Sequence, residues 1–212
     1  MILHDYFRSS AAFRVRIALN LKGLAAERHF VHLRKGEQRA PEYLAQNPQG
    51  LIPMLTIGDQ RFTQSLAIIE YLDELHPMPR LLPATAEERA WVRSIALSIA
   101  CDIHPLNNLR VLLHLRDALK ADQAARDEWY RHWLREGFDP LERQLTARAG
   151  GRFCLGDAPT LADICLVPQV FNAQRLDMPL AAWPRIAAIH EACLALPAFA
   201  DAVPARQPDA EQ

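Results

Sequence analysis

Two adjacent serines, Ser9 and Ser10, precede a helical pattern in the segment FRSSAAFRVRIALNLKG, residues 7–23. Apolar residues recur there at helical spacing, Lys22 falls in the last turn, and Gly23 is placed to end the helix. One of the two serines is therefore expected at the N-cap, where a hydroxyl accepts a hydrogen bond from an otherwise unpaired backbone N–H group. The simplest interpretation of the pair is a structural cap.

The same helix start could also hold and activate an anion. Free N–H groups and the helix dipole favour negative charge there by about 0.3–1 kcal/mol, and by about 2 kcal/mol in a partly buried site. A hydroxyl that donates to the charge adds about 1.5–3 kcal/mol. Lowering a thiol pKa by one unit takes about 1.36 kcal/mol, so these contributions can bring a bound thiol close to neutral pH. Ala11 and Ala12 follow the serines, so the thiol would have to arrive with a ligand.

Three further segments carry groups suited to a peptide-like or anionic ligand. In NPQGLIPML, Pro53 lies at the start of a short apolar run, where an X-Pro bond can be cis and leave a backbone edge open. In QSLAIIEYLDEL, Ser65 is a second candidate N-cap and hence a second site for a carboxylate. CDIHPLNNLRVL places polar groups beside the His104–Pro105 step. Each segment also has a purely structural interpretation: a strand-start proline, a cap and a solvated helix start.

The elements that would position these groups differ between the two parts of the chain. The first 76 or so residues alternate strand-like and helix-like segments in the order β-α-β then β-β-α, which is typical of a small α/β domain. Three prolines in HPMPRLLP end its last helix. From Ala84 onward the pattern is of amphipathic helices, and Thr160 with Asp163 resembles a capping box.

These patterns predict an α/β domain over residues 1–78, a linker over 79–84 and an all-helical domain over 85–212. The final residues, PARQPDAEQ, are polar and are expected to fray.

Composition narrows the classes of function. The chain has 212 residues, 50% of them hydrophobic and 23% charged, with a formal net charge of −1, so nothing in its electrostatics favours binding to nucleic acid or to an anionic membrane. We find no secretory leader pattern and no run of 18 apolar residues. The four cysteines are widely spaced, which argues against a zinc site or a disulfide framework and predicts free thiols in a reducing cytoplasm. No metal site is expected.

The sequence resembles the zeta class of the glutathione transferases over essentially its whole length. The resemblance is carried by RSSAAFRVRIALNLKG, NPQGLIPML, QSLAIIEYLDE, PMPRLLP, CDIHPLNNLRVL and GDAPTLADICLVPQVFNAQR. It implies a thioredoxin-like N-terminal domain that binds glutathione, an all-helical C-terminal domain that contributes the substrate site, and a homodimer. It also implies a glutathione-dependent cis–trans isomerase that converts maleylacetoacetate to fumarylacetoacetate.

The resemblance assigns roles residue by residue. Ser9 matches the serine that stabilises the thiolate, Ser10 lies beside it in the turn, and Arg14 supports the pair. The residues expected to contact glutathione are Ser9, Ser10, Ala11, Gln38, Ile52, Pro53, Gln64, Ser65, Asn107 and Asn108.

The substrate would be a dicarboxylate diketo acid, whose carboxylates suit the bidentate fork of arginine. Arg8, Arg110 and Arg175 are the candidates, and His104 could position a substrate oxygen or carry a proton. For each of these four residues, a solvated or structural role is the alternative.

Many zeta-class members have Ser-Ser-Cys at the turn, whereas this chain has Ser9-Ser10-Ala11. The missing cysteine argues against any side activity that needs a protein thiol and against a disulfide reductase. Three other functions stay open at this point. They are maleylpyruvate isomerisation, glutathione transfer to halogenated acids, and glutathione binding without catalysis.

Overall fold

The structure is a computed structural model that describes residues 1–148 and 150–211. The chain divides into two compact units. The first comprises Met1–Leu81 together with Leu194–Gln212, and the second comprises Leu82–Cys193.

The first unit is built on a four-stranded mixed sheet. Its strands are β1 (Ile2–Asp5), β2 (Glu27–Phe30), β3 (Met54–Ile57) and β4 (Gln60–Thr63), and its first helices are α1 (Ser10–Leu21), α2 (Pro41–Leu44) and α3 (Ser65–Leu75). The strand order is β2-β1-β3-β4, with β1 and β2 parallel and the other two pairs antiparallel. The predicted β-α-β then β-β-α order is therefore confirmed, although β2 begins two residues before the predicted segment HFVHL.

Helix α1 is buried on most of its surface, because it forms part of the core of this unit. Phe13, Val15, Ile17 and Ala18 are almost completely buried. The helix ends as predicted, since Gly23 has a φ of +63° and its backbone N–H donates to Asn20 O.

The second unit contains helices and no β-strand among the residues that the structure describes. Its helices are α4 (Ala86–Leu97), α5 (Leu109–Asp117), α6 (Gln123–Ala147), α7 (Leu161–Gln174) and α8 (Pro184–Leu194), with a π-helical turn over Ser98–Ile103 and a 3-10 turn over His104–Asn107 between α4 and α5. The predicted capping box at the start of α7 is present, and the Asp163 carboxylate accepts hydrogen bonds from Thr160 N and Thr160 Oγ1.

The prediction for the C-terminal end is wrong. The segment after α8 belongs to the first unit rather than to the helical one, and it contains helix α9 (Pro197–Ala200) and a 3-10 turn over Pro204–Arg206. The expected fraying is contradicted by tertiary contacts that reach Glu211; Gln212 lies outside the described residues. The polar composition gave the wrong expectation because several of these side chains make hydrogen bonds within the first unit.

Among the described residues, no helix is long and apolar enough to cross a membrane. The same residues contain no group of three or more His, Cys, Asp or Glu side chains that could hold a metal ion. All four cysteines lie in the described part of the chain, and none forms a disulfide.

Candidate active site

The sheet topology brings three of the predicted segments, and the segment that follows β2, to one end of the strands. His4, near the carboxyl end of β1, pairs with Met54 at the start of β3, and Met54 pairs with Thr63 at the end of β4. Asp5 pairs with Phe30, where the parallel strand β2 ends. Four segments therefore meet at the same end of the sheet. They are the segments that follow β1, β2 and β4 and the segment that precedes β3.

Ser9 occupies the N-cap of α1. Its backbone is extended (φ −71°, ψ 116°) and its Oγ accepts a hydrogen bond from Ala12 N at 3.2 Å. The structure thus places Ser9 rather than Ser10 at the cap; Ser10 is the first residue of the helix and is buried. A hydroxyl has two acceptor lone pairs and one proton to donate, and no described residue accepts the proton of Ser9. The structural cap and the anion site are therefore compatible.

The first turn of α1 contains no acidic residue. Ala11, which follows Ser10, is half-buried and carries no group that could compete for the backbone N–H donors. Because the positive end of the helix dipole is uncompensated by the chain itself, the electrostatics of this turn favour an anionic ligand.

The segment before β3 contains a cis bond at the position where the sequence allowed one. The Ile52–Pro53 peptide is cis, and both residues are buried. Gly50, with a φ of +59°, lies close to Gln38, since a Cβ on this glycine would be 2.9 Å from the Gln38 carbonyl oxygen. The Gln38 side chain has a buried Oε1 that accepts no hydrogen bond from a described residue. This group can accept a bond from an N–H donor of a peptide-like ligand.

The start of α3 differs from the prediction in one respect. Gln64 is the N-cap residue and Ser65 is the first helical residue, so the expectation of Ser65 at the N-cap is wrong by one position. Gln64 has a φ of +67° and its Nε2 donates to Gln49 Oε1 at 3.0 Å. A positive φ at a residue other than glycine costs about 1–3 kcal/mol and is often found at ligand sites.

Arg14 links the two helix starts. It is 2% exposed and its Nη1 donates to Ser65 Oγ at 3.3 Å. The resemblance assigns Arg14 to the support of the serine pair, which stays a prediction, and this hydrogen bond ties Arg14 to the start of α3. The bond joins residues 51 positions apart, and no local pattern indicates it.

The predicted residues of the second unit lie in one short segment, except for Arg175. His104 begins the 3-10 turn that Asn107 ends, and Asn107 is 4% exposed with no described partner for either end of its side-chain amide. Asn108 caps α5, and its Oδ1 accepts from Arg110 N at 3.0 Å. The Arg110 side chain is exposed.

The other two predicted arginines belong to other parts of the sequence. Arg8 is half-buried in the loop between β1 and α1, next to Ser9, as the sequence requires. Arg175 is exposed at the C-cap of α7.

Comparison with known proteins identifies the family of the chain. Residues 3–80 match the N-terminal domain model of glutathione S-transferases and residues 123–192 match the C-terminal domain model. The chain is 50% identical over 212 residues to a probable maleylacetoacetate isomerase of Vibrio cholerae, with 99% of this chain and 98% of the relative covered.

Two solved structures superpose over the whole of both chains. One, at 47% identity and a TM-score of 0.97, is a bacterial maleyl pyruvate isomerase of the zeta class of glutathione S-transferases. The other, at 43% identity and a TM-score of 0.97, is a maleylacetoacetate isomerase of Methylobacterium extorquens AM1 with bound malonate and glutathione. The chain therefore belongs to the glutathione S-transferase family and, within it, to the zeta class that contains these isomerases.

Proposed function

We propose that the protein is an isomerase that uses glutathione to convert maleylacetoacetate to fumarylacetoacetate. The observation that carries the proposal is the start of α1, where Ser9 keeps a donor proton available beside backbone N–H groups that no acidic side chain occupies. The maleylacetoacetate isomerase of M. extorquens binds glutathione together with malonate, a small dicarboxylate.

The residues present fit a bound glutathione molecule. Ser9 and the first turn of α1 suit its sulfur, Gln64 and Ser65 at the start of α3 suit a carboxylate, and the backbone of Ile52 beside Pro53 suits its peptide portion. The orphaned Oε1 of Gln38 offers a further acceptor. Ser10 and Ala11 would line the sulfur site, and in the second unit Asn107 and Asn108 are proposed as further contacts of glutathione.

When bound, glutathione supplies a thiolate nucleophile whose reversible addition to the cis double bond permits rotation about that bond without net redox change. The chain's part is electrostatic. Ser9 donates its proton toward the sulfur, and the first N–H groups of α1 stabilise the negative charge, so that the thiol pKa falls toward neutral pH. Arg14 holds Ser65 at the other helix start.

The substrate carboxylates require cations, and arginine binds them bidentately. We assign this role to Arg8 in the first unit, and in the second unit we propose Arg110 and Arg175 as further carboxylate ligands and His104 as a group that positions a substrate oxygen. Replacing Arg175 by Ala should raise the KM for the dicarboxylate more than the KM for glutathione. Equal effects on the two KM values would remove Arg175 from the substrate site.

Maleylpyruvate isomerisation is the second candidate function. It is favoured by the 47% identity and full-length superposition with a maleyl pyruvate isomerase. The two substrates share the cis-enedioic acid and differ in the tail beyond it, so the sulfur site described above serves either one.

A glutathione-dependent isomerisation assay with both substrates tests the proposal. We expect turnover of maleylacetoacetate that requires glutathione but does not consume it. Net consumption of glutathione with a halogenated acid would instead indicate a transferase, and glutathione binding without any turnover would indicate a binding module.

We further propose that the protein acts as a homodimer in the cytoplasm. The family resemblance supports the dimer, and four cysteines outside disulfides support a reducing compartment. Light scattering on the purified protein would give twice the 24.0 kDa chain mass if the proposal is correct.

A further inference from the structure

The C-terminal tail, residues 203–211, contacts the loop that carries Ser9. Asp209 Oδ2 accepts a hydrogen bond from Phe7 N at 2.9 Å, across 202 residues of sequence. Phe7 lies two residues before Ser9 in the serine loop, residues 6–9. The last residues of the chain therefore hold a peptide group close to the proposed sulfur site.

The serine loop is held on its other side by Arg16. This buried guanidinium donates from Nη2 to Phe7 O at 3.0 Å and from Nη1 to Asp5 Oδ1 at 2.9 Å. The loop closes on itself through a bond from Ser9 N to Tyr6 O at 2.9 Å. Both backbone groups of Phe7 are thus fixed, its N–H by the tail and its carbonyl by Arg16.

The tail is anchored independently of Asp209. Gln207 is buried, and its Nε2 donates to Asp201 O and Val203 O, both at 2.9 Å. Arg28 Nη2 donates to Gln207 Oε1 at 3.2 Å, and Arg16 Nε donates to Ala202 O at 3.0 Å. The tail therefore has a defined position from which Asp209 can act.

Two further tail residues contact the surroundings of the site. Ala210 packs against the hydrophobic cluster that includes Tyr6, Phe7 and Ile52. Glu211 Oε1 lies 2.7 Å from His32 Nε2. The tail consequently contacts the serine loop through Phe7, the hydrophobic cluster beside it, and His32.

Charged groups of both signs lie around the tail. Asp5 pairs with Arg16 and Arg28, and Glu211 of the tail lies within ion-pair distance of Arg34. Burial lowers the pKa of Arg16 to about 9, and the Asp209 charge acts in the opposite direction. A carboxylate is a stronger acceptor for Phe7 N than a neutral group is.

We propose that Asp209 is a positioning residue for Ser9: the C-terminal tail fixes the serine loop so that the Ser9 hydroxyl meets the glutathione sulfur. The inference rests on the proposed function, because it assigns the tail a part in activating the same thiol. Small displacements matter in such a site, since a shift of about 1 Å can lower a rate by about 100-fold.

The test compares Asp209→Ala with the control Asp201→Ala in the full-length chain. Asp201 lies at the C-cap of α9, and its carboxylate pairs on the surface with Arg206. For Asp209→Ala we expect kcat at pH 7 to fall about tenfold and the pKa of bound glutathione, followed by thiolate absorbance, to rise by about one unit. The KM for glutathione should change less than kcat, and the Phe7 amide should exchange faster with deuterium.

Asp209→Asn provides the rescue, because its side-chain oxygen can still accept from Phe7 N, and it should recover most of the lost activity. If Asp209→Ala does not fold, Asp209→Ser serves instead, since its shorter side chain does not reach the amide. If the folded variant has the same bound-thiol pKa and the same pH profile as the wild type, the inference is overturned. Equal losses of kcat in Asp209→Ala and Asp201→Ala would also overturn it. A wild-type bound thiol with the pKa of free glutathione would overturn the proposed function itself.

Discussion

Helices α1 and α7 both begin at a hydroxyl residue, yet the two starts are finished differently. At α7, Thr160 Oγ1 donates its proton to Asp163 Oδ2 at 2.9 Å, and the same carboxylate accepts from Thr160 N and, through Oδ1, from Cys154 N. At α1, Ser9 Oγ accepts from Ala12 N and no acidic side chain lies in the first turn. At the start of α7 the donors are occupied by the helix's own carboxylate. At the start of α1 they remain available to an anion of a ligand. We call these the closed start and the open start.

The cap residue alone therefore does not determine whether a helix start has a structural role or can bind a ligand. The role depends on whether the chain itself supplies an anion to the N–H donors. Asp163 is completely buried; burial raises the pKa of its carboxyl, while hydrogen bonds from Cys154 and Thr160 act in the opposite direction. Without such an acid, the N–H donors and the hydroxyl proton of α1 remain available for the sulfur of a ligand.

The largest effect is expected at the closed start. Replacing Asp163 by Ala removes the acceptor of Thr160 N and Cys154 N and should lower the free energy of unfolding by about 3 kcal/mol. Chemical denaturation measures this loss. The pKa of the bound glutathione thiol should stay unchanged at a temperature where the variant is folded; a shifted thiol pKa would contradict the separation of the two helix starts.

The next effect is expected at the open start. Replacing Ser9 by Ala removes a donor worth about 1.5–3 kcal/mol to an anion, so kcat at pH 7 should fall about 10- to 150-fold. The pH–rate profile should move to higher pH, because the thiol ionises less readily. Thr160→Ala is the matched control, which should reduce stability and leave the profile in place. An unchanged profile in Ser9→Ala would remove Ser9 from thiol activation.

The smallest effect is expected when an acidic side chain is introduced into the first turn of α1. Ala11→Asp places a carboxylate in the first turn of α1, where it should raise the pKa of the bound thiol by about one unit through like-charge repulsion. Ala11→Asn, of the same size without the charge, is its control. If both variants give the same thiol pKa, the charge of the first turn does not govern the site.

Much of the fold and several contacts of the site follow from local sequence. The N-cap of α1 and the capping box at Thr160 depend on neighbouring residues, and the sequence predicted them. For the bond before Pro53 the sequence indicated only that it can be cis, and the structure shows that it is. The order of strands and helices also followed from the spacing of apolar and polar residues along the chain.

The contacts that sequence reasoning missed join residues far apart in the chain. Arg14 to Ser65 and Phe7 to Asp209 are hydrogen bonds across 51 and 202 residues. No periodicity encodes such a pair. The tail shows this limit of sequence-based prediction most clearly. In the sequence Gln207 and Asp209 resemble solvated polar residues, whereas in the fold both make hydrogen bonds within the first unit.

One measurement tests the central claim directly: the pKa of the glutathione thiol when bound to the wild-type protein, obtained by titrating thiolate absorbance against pH. The account predicts a value more than one unit below the usual thiol pKa of about 8.5, with most of that shift lost in Ser9→Ala. A bound thiol that titrates as it does in free solution would contradict it.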